Sequence, residues 1–271
     1  MKSSIRTHKI LQELKSKPID TLSFPSHFSV ATTLRDIASS TDCTLDKLIS
    51  VIKKDPLIAL KVIAAGSVGK DTDKKRSMSI EAAVENLGID STRRMILGIT
   101  MLQLARSSEM MRFNTFSRLI WLNSMYCAAA AENLSRVYLP GREEDCFFFA
   151  LSINLCAFYL LYHAAIDPNL RESNDDIVHA IKESHVQRTI AILRHVGIDV
   201  SVIEQLEHLT RINQLNELES VPEIVYIASR LANEKYSWQI EDTEKIVTHA
   251  FHPLVSGIDA DFKKLKSEYR V

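Results

Sequence analysis

The densest group of potentially catalytic side chains in this chain is the run of carboxylates Glu143, Glu144 and Asp145. Neighbouring carboxylates can act as a general acid and base, or bind a divalent metal. This group, however, directly precedes a stretch from Cys146 to Ile166 that contains no Asp, Glu, Lys or Arg. Negative charge in the first turn of a helix is stabilised by the helix dipole. The three carboxylates are therefore better explained as the start of a helix than as a catalytic group.

Other catalytic patterns are missing from the sequence. It has no GxSxG motif, no P-loop and no glycine pattern of a dinucleotide-binding fold. The four cysteines, Cys43, Cys127, Cys146 and Cys156, form no CxxC pair. Two of them lie inside the most apolar predicted helices. This distribution indicates buried, reduced thiols in a cytoplasmic protein.

The charge balance of the chain argues against a nucleic-acid partner. Its 271 residues carry a formal net charge of −1, whereas a general nucleic-acid binder needs a basic surplus. Residues 30–39 and 44–52 have the lengths of a helix-turn-helix pair. The second of these helices carries only Lys53 and Lys54 at its end, so it has no basic face for DNA recognition.

The uncharged stretch must be positioned inside a fold. A helix this apolar has no face for solvent, so residues 146–165 are predicted to form one central helix surrounded by others. An uncharged run of about twenty residues is also long enough to span a bilayer. Ser152, Asn154 and Tyr162 interrupt it, and its flanks are acidic rather than basic on one side. A buried core helix without membrane contact is therefore the better interpretation.

The remaining sequence predicts helices throughout, and the fold class is all-α. Helix starts are indicated by Thr44, Asp55-Pro56 and Ser79, and a long helix over about 115–137 contains the alanine run 128–131. No convincing stretch alternates strictly between apolar and polar residues, as a half-buried strand would. The predicted organisation is an N-terminal helix over residues 1–19, a helical domain over 20–215, and a C-terminal helical extension over 216–271.

Several short motifs follow one another in a specific order. They are Asp55-Pro56-Leu57, Gly66-Ser67, Ser79-Ile80-Glu81-Ala82-Ala83, Leu87-Gly88, Trp121-Leu122-Asn123-Ser124, the segment 149–156, His185 and Gly197. This succession resembles the HDOD domain, a bacterial signalling module related to HD-type metal-dependent phosphohydrolases. The resemblance covers most of residues 20–212.

The resemblance also places the metal-ligand positions of the HD superfamily on this chain. The first histidine falls on Asn123, and the His-Asp pair falls on Ile153 and Asn154. His185 matches a later ligand well and His208 matches less closely. None of the nine histidines is followed by Asp. Two neutral nitrogen donors do not hold a divalent ion, so we predict a vestigial site without metal or cofactor.

Buried polar groups need partners. We therefore expect the side chains of Asn123, Asn154 and His185 to hydrogen-bond one another or trapped water.

Two functions are compatible with these observations. The first is a non-catalytic signalling module that binds another protein, which the resemblance implies to be a sensor kinase, a response regulator or a cyclic-dinucleotide enzyme. The alternative is a metal-dependent phosphohydrolase with a rearranged site. Candidate contact residues are Lys74, Lys75 and Arg76 in a charged loop, together with the Met-rich junction 108–116.

Overall fold

The computed structural model of the protein gives the arrangement of most of the chain between residues 43 and 269. The described residues are 43–53, 56–66, 79–167, 173–182, 190, 200–209, 212, 218–238, 251 and 253–269. The predicted N-terminal helix over 1–19, the loop residues Lys74, Lys75 and Arg76, and His185 lie outside them.

Every regular element of the described residues is helical, which confirms the all-α class. A 3₁₀ helix spans Ser108–Phe113, and residues 174–182 are also helical. The α-helices are α1 (Leu45–Lys53), α2 (Pro56–Gly66), α3 (Ile80–Leu87), α4 (Ile89–Ala105), α5 (Asn114–Tyr138), α6 (Glu143–Ser152), α7 (Leu155–Ile166), α8 (Val200–Leu209), α9 (Val221–Lys235) and α10 (Val255–Tyr269).

Local capping chemistry sets the ends of the early helices. The Thr44 hydroxyl oxygen accepts a hydrogen bond from the Lys47 amide at 3.3 Å, and Ser79 Oγ accepts one from the Ala82 amide at 3.1 Å. Both bonds satisfy amides that have no partner inside the helix. Gly88 ends α3 with φ of 81°, a backbone conformation that glycine adopts without strain.

The long helix α5 is the centre of the fold. It packs against α6, α9 and α10, and it also contacts α4. The alanine run 128–131 is fully buried. Because alanine side chains are small, neighbouring helices can approach the α5 backbone closely on more than one side.

The predicted central helix is broken in the structure, so the prediction of one helix over 146–165 is wrong. The stretch forms α6 and α7, with Ile153 and Asn154 in a turn between them. Asn154 has φ of −93° and ψ of 2°, outside the helical range. Its buried side chain bonds to α5, as described below. The expected burial holds on both sides of the break, since Phe147 and Phe158 have no exposed surface.

The break also bears on the membrane alternative. Among the residues that the structure describes, no helix is both long enough and apolar enough to cross a membrane.

The backbones of α2 and α3 meet at Gly66. A Cβ atom placed on Gly66 would lie 2.7 Å from both the Cα atom and the carbonyl oxygen of Ala83. Backbone atoms cannot move aside as a flexible side chain can. In addition, the Asn86 side-chain amide donates to the Gly66 carbonyl at 3.2 Å. The Gly66-Ser67 motif therefore marks a contact that excludes any side chain at position 66.

Substitution of Gly66 by alanine tests this contact. Gly66→Ala should lower the free energy of unfolding by about 1–2 kcal/mol, because overpacking outweighs the better helix propensity of alanine. Urea denaturation of the full chain measures the change. Ala64→Ser adds one heavy atom on the exposed side of the same helix and should cost no more than about 0.5 kcal/mol. A Gly66→Ala protein as stable as the wild type would contradict the close approach.

Candidate functional site

Three of the predicted site positions lie together in the core. Asn123 is on α5, and Ile153 and Asn154 form the turn between α6 and α7. Asn123 and Asn154 have no exposed surface, and Ile153 is 3% exposed. These positions are therefore internal, and a ligand could reach them only if the surrounding helices moved.

The side-chain amide of Asn154 donates two hydrogen bonds to α5. It bonds to Asn123 Oδ1 at 3.0 Å and to Ser124 Oγ at 3.0 Å. Ser124 in turn donates to the Ile120 carbonyl at 2.8 Å, within the same helix. The bond between Asn123 and Asn154 is the one expected from the sequence. It satisfies polar groups that have no exposed surface.

The cluster extends to the C-terminal part of the chain. The Asn123 side-chain amide donates to the backbone carbonyl of Tyr236 at 3.0 Å. Tyr236 follows α9, which packs along α5. Asn123 thus accepts a bond from the turn between α6 and α7 and donates one to the end of α9.

Sequence reasoning missed two members of this cluster. Ser124 belongs to the motif Trp121-Leu122-Asn123-Ser124, but its residue type alone predicts no contact with Asn154. Tyr236 contributes a backbone carbonyl, which every residue has, so no residue type in the sequence could have marked it.

Of the two histidines of the predicted site, the structure describes His208 but not His185. His208 lies on α8 and its side chain is exposed, unlike the buried asparagines. His185 is among the residues that the structure does not describe. The assignment of a vestigial site to these five positions therefore stays a prediction.

Ile153 and Asn154, which the resemblance aligns with the His-Asp pair, do not fit a divalent metal. Ile153 has no donor atom, and Asn123 Oδ1, the atom through which an amide would bind a metal, already accepts the hydrogen bond from Asn154. A divalent ion requires several converging oxygen or nitrogen donors and compensating negative charge. Within the described ranges, no group of three or more His, Cys, Asp or Glu residues could hold a metal ion.

The carboxylates in the first turn of α6 serve the helix start. Glu143 Oε1 accepts from the Gly141 amide at 3.0 Å, and this bond holds the pKa of Glu143 below its usual value. Asp145 accepts from Arg142 Nε at 2.7 Å. Gly141 itself has φ of 88°. These contacts support the interpretation of the acidic group as helix initiation rather than acid–base chemistry.

Two buried thiols lie close to the centre of the fold. Cys127 and Cys146 are fully buried and form no disulfide. Burial raises the pKa of Cys127 strongly and the pKa of Cys146 to about 12. Because the thiolate is the reactive form, both side chains act as small apolar core residues rather than as nucleophiles.

The Met-rich junction has one buried and one exposed side. Met110 and Phe113 are buried in the core, whereas Met111 is 76% exposed. Arg112 and Asn174 fix the junction to the helical residues 174–182. Arg112 Nε donates to Asn174 Oδ1 at 2.7 Å, and Asn174 Nδ2 donates to the Arg112 carbonyl at 3.1 Å. Met111 is therefore an apolar side chain presented to solvent on an anchored segment.

The chain belongs to the HDOD domain family. The model of this family matches residues 24–201, more than half of the chain. The family resemblance seen in the sequence is thereby confirmed. No curated protein matches the chain significantly.

Solved structures share the fold at low sequence identity. A "putative metal-dependent phosphohydrolase" from Shewanella amazonensis SB2B aligns with a TM-score of 0.66 and 18% identity, over 97% of this chain and 99% of that one. An HDOD domain protein with unknown function from Geobacter sulfurreducens aligns at 0.61 and 12%, over 98% of each chain. A "putative signal transduction protein" from Marinobacter aquaeolei VT8 aligns at 0.61 and 14%, over 99% of this chain and 66% of that one. These similarities concern the fold.

Substitution of Asn154 by aspartate tests the buried cluster. Asn154→Asp replaces the double donor by an acceptor that faces Asn123 Oδ1, so it should lower the unfolding free energy by more than about 3 kcal/mol at neutral pH. Burial without a donor raises the folded-state pKa of the new carboxyl above its unfolded value. The destabilisation should therefore be smallest below the unfolded pKa and grow as the pH rises through the folded pKa.

Denaturation of variant and wild type at about pH 4.5 and about pH 7 measures this trend. Asn114→Asp is the control, because Asn114 is exposed at the first turn of α5 and negative charge is favourable there. If Asn154→Asp were as stable as Asn114→Asp at both pH values, the Asn154 side chain would not be buried and hydrogen-bonded as described.

Proposed function

We propose that this protein is a non-catalytic HDOD module that transmits a signal by binding another protein. The observation that carries the proposal is the hydrogen bond between Asn154 and Asn123, two residues that the family resemblance aligns with metal-ligand positions of the related hydrolases. A phosphohydrolase of that class needs a metal ion to polarise the phosphoryl oxygen and to activate water. Neutral amides that are already bonded to each other supply neither charge nor free donors.

Binding a metal at these positions would also break buried hydrogen bonds. For a metal to bind here, the side chains of Asn123 and Asn154 would have to turn away from Ser124 and from the Tyr236 carbonyl. Each buried polar group left without a partner costs about 1–3 kcal/mol. The ion would then receive at best two neutral oxygens in place of a carboxylate and two imidazoles.

The class of partner is inferred from the family. HDOD modules resemble HD enzymes but act in bacterial signalling, and one structural neighbour is described as a "putative signal transduction protein". A sensor kinase, a response regulator or a cyclic-dinucleotide enzyme is the proposed partner. The two buried, unpaired thiols Cys127 and Cys146 are compatible with a reducing compartment, and we place the protein in the cytoplasm.

Metal analysis and an activity screen test the absence of catalysis. Protein purified without an affinity tag should contain only substoichiometric divalent metal by elemental analysis. It should also hydrolyse no phosphodiester or nucleotide substrate in added Mn²⁺ or Mg²⁺, because the donor set cannot hold the ion. A full equivalent of metal per chain, with turnover that His185→Ala abolishes, would instead establish the alternative, a phosphohydrolase with a rearranged site.

Charge reversal tests the first candidate contact. The triple variant Lys74→Glu, Lys75→Glu and Arg76→Glu should capture the partner from a native lysate several-fold less well than wild type. The sequence predicts that these charges lie in a solvated loop, where ion pairs contribute typically about 0–1 kcal/mol, so the melting temperature should stay unchanged. Met111→Ser probes the second candidate, since Met111 is exposed on the anchored junction. Undiminished capture by both variants would exclude the two surfaces as the partner site.

A further inference from the structure

The C-terminal helix α10 is attached to the fold through a narrow strip. Ile258 and Phe262 are its buried apolar side chains. Ala260, Lys263 and Lys264 are exposed. Its packing partner is mainly α5. A helix of this length is marginally stable in isolation, so α10 keeps its structure through these contacts.

Two carboxylates clamp α10 at the centre of this strip. Asp259 accepts from Lys235 Nζ at 2.6 Å and from the Tyr126 hydroxyl at 3.0 Å. The Lys235 contact holds the pKa of Asp259 below its usual value. The clamp therefore joins α10 both to α5 and to the last residue of α9.

The second carboxylate binds further along α5. Asp261 Oδ2 accepts from Arg136 Nη1 at 2.8 Å and from Asn133 Nδ2 at 2.8 Å. The side chains of Asp261 and Arg136 are 32% and 48% exposed. Ion pairs this accessible to water are weak and are screened by salt. The ion pairs of α10 thus have a defined geometry but contribute little free energy to its docking.

An aromatic cluster lies beneath the clamp. The Phe262 ring is 5.2 Å from the Tyr126 ring and 5.4 Å from the Tyr236 ring, between centroids. The Tyr126 and Tyr236 rings are 5.7 Å apart. Tyr236 is therefore part of the surface that α10 covers.

Tyr236 connects this surface to the buried asparagine pair. Its side chain packs on Phe262 of α10, and its backbone carbonyl accepts the hydrogen bond from Asn123. Lys235, the neighbouring residue, holds Asp259 of α10. The dipeptide Lys235-Tyr236 thus contacts both Asn123 of the buried pair and Asp259 of the clamp.

We propose that α10 is a releasable strap, clamped by Asp259 and Asp261, whose docking is coupled to the Asn123–Asn154 pair through Tyr236. Closure of the strap orders Tyr236 and favours the Asn123 bond, and loss of that bond favours release. Release opens α10 as a unit and uncovers Tyr126 and Tyr236, while α5 and α6 stay folded. This inference concerns the mechanics of the fold, and it holds whether or not the protein proves to be catalytic.

The physical basis is a difference in local stability. Local openings in proteins occur at free energies between about zero and the global value, and they are easiest where few apolar contacts hold an element. The middle of α5 is buried, including the alanines 128–131, whereas in α10 Ile258 and Phe262 are buried and Val255 and Leu265 are only partly buried. The strap should consequently open at a lower free energy than the core unfolds.

Native-state hydrogen exchange on the full chain tests the strap. Amides of residues 255–269 should exchange faster than amides of residues 120–131 in the wild type. The double variant Asp259→Asn, Asp261→Asn should accelerate exchange of 255–269 by about tenfold or more and leave 120–131 unchanged. Glu81→Gln is the matched control, because it removes an exposed ion pair to Lys53 at 2.8 Å that lies on α1 and α3.

A second pair of variants tests the coupling. Asn123→Ala removes the bond to the Tyr236 carbonyl and should also accelerate exchange of 255–269 selectively, although Asn123 does not belong to the clamp. Ser124→Ala removes a different bond to Asn154 and does not touch Tyr236, so it should leave the ratio of the two exchange rates unchanged. Asn123→Ser serves the same purpose if the alanine variant does not fold.

The result that supports the proposal is selective acceleration by the clamp variant and by the Asn123 variant, but not by Glu81→Gln or Ser124→Ala. Exchange of 255–269 at the rate of the core in every variant would overturn the strap. Acceleration by the clamp variant alone, or equal effects of Asn123→Ala and Ser124→Ala on both regions, would overturn the coupling and with it the proposal.

Discussion

The constraint on which the structure depends is the need to satisfy the hydrogen-bonding groups of the buried Asn154 side chain. Its amide donates to Asn123 and Ser124, and these bonds are made where a continuous helix would otherwise run. The apolar stretch therefore divides into α6 and α7 at this residue. Because the same bonds reach α5, the turn fixes the position of both halves of the stretch against the longest helix. A polar side chain thus specifies the geometry of a core that apolar residues stabilise.

The long helix α5 connects this turn to the other helices, because it packs against α4, α6, α9 and α10. Asn123 and Ser124 on this helix accept hydrogen bonds from Asn154. Its buried alanines let other helices approach closely. The sites at which α10 is clamped, Tyr126, Asn133 and Arg136, lie on the same helix. Asn123 in turn bonds to the end of α9. The segments before and after residue 201, where the family match ends, therefore share one helix as their common support.

Local chemistry was predictable from the sequence, and tertiary hydrogen bonding was not. The starts of α1 and α3 followed from Thr44 and Ser79, because a capping bond needs only residues three positions apart. The break at Asn154 has no such local signal, since it depends on partners about thirty residues away. Asn123 and Asn154 were identified through the family resemblance, whereas the Tyr236 carbonyl has no residue-type signature. The exposure of His208 likewise depends on where α8 packs, which periodicity does not give.

The family resemblance implies that amides stand where related hydrolases have charged metal ligands, and such a change would alter what the interior of this fold responds to. A site built from imidazoles and a carboxylate depends on pH and on the available metal, because its ligands must be deprotonated and then bound. The pair Asn123–Asn154 is neutral, so neither protonation nor an ion is needed to hold it together. Its neighbours are Ser124 and the Tyr236 carbonyl, and the Tyr236 ring packs on Phe262 of α10. Under the proposed coupling, a contact at α10 would reach the interior through Tyr236, as the proposed role of a module that responds to another protein requires.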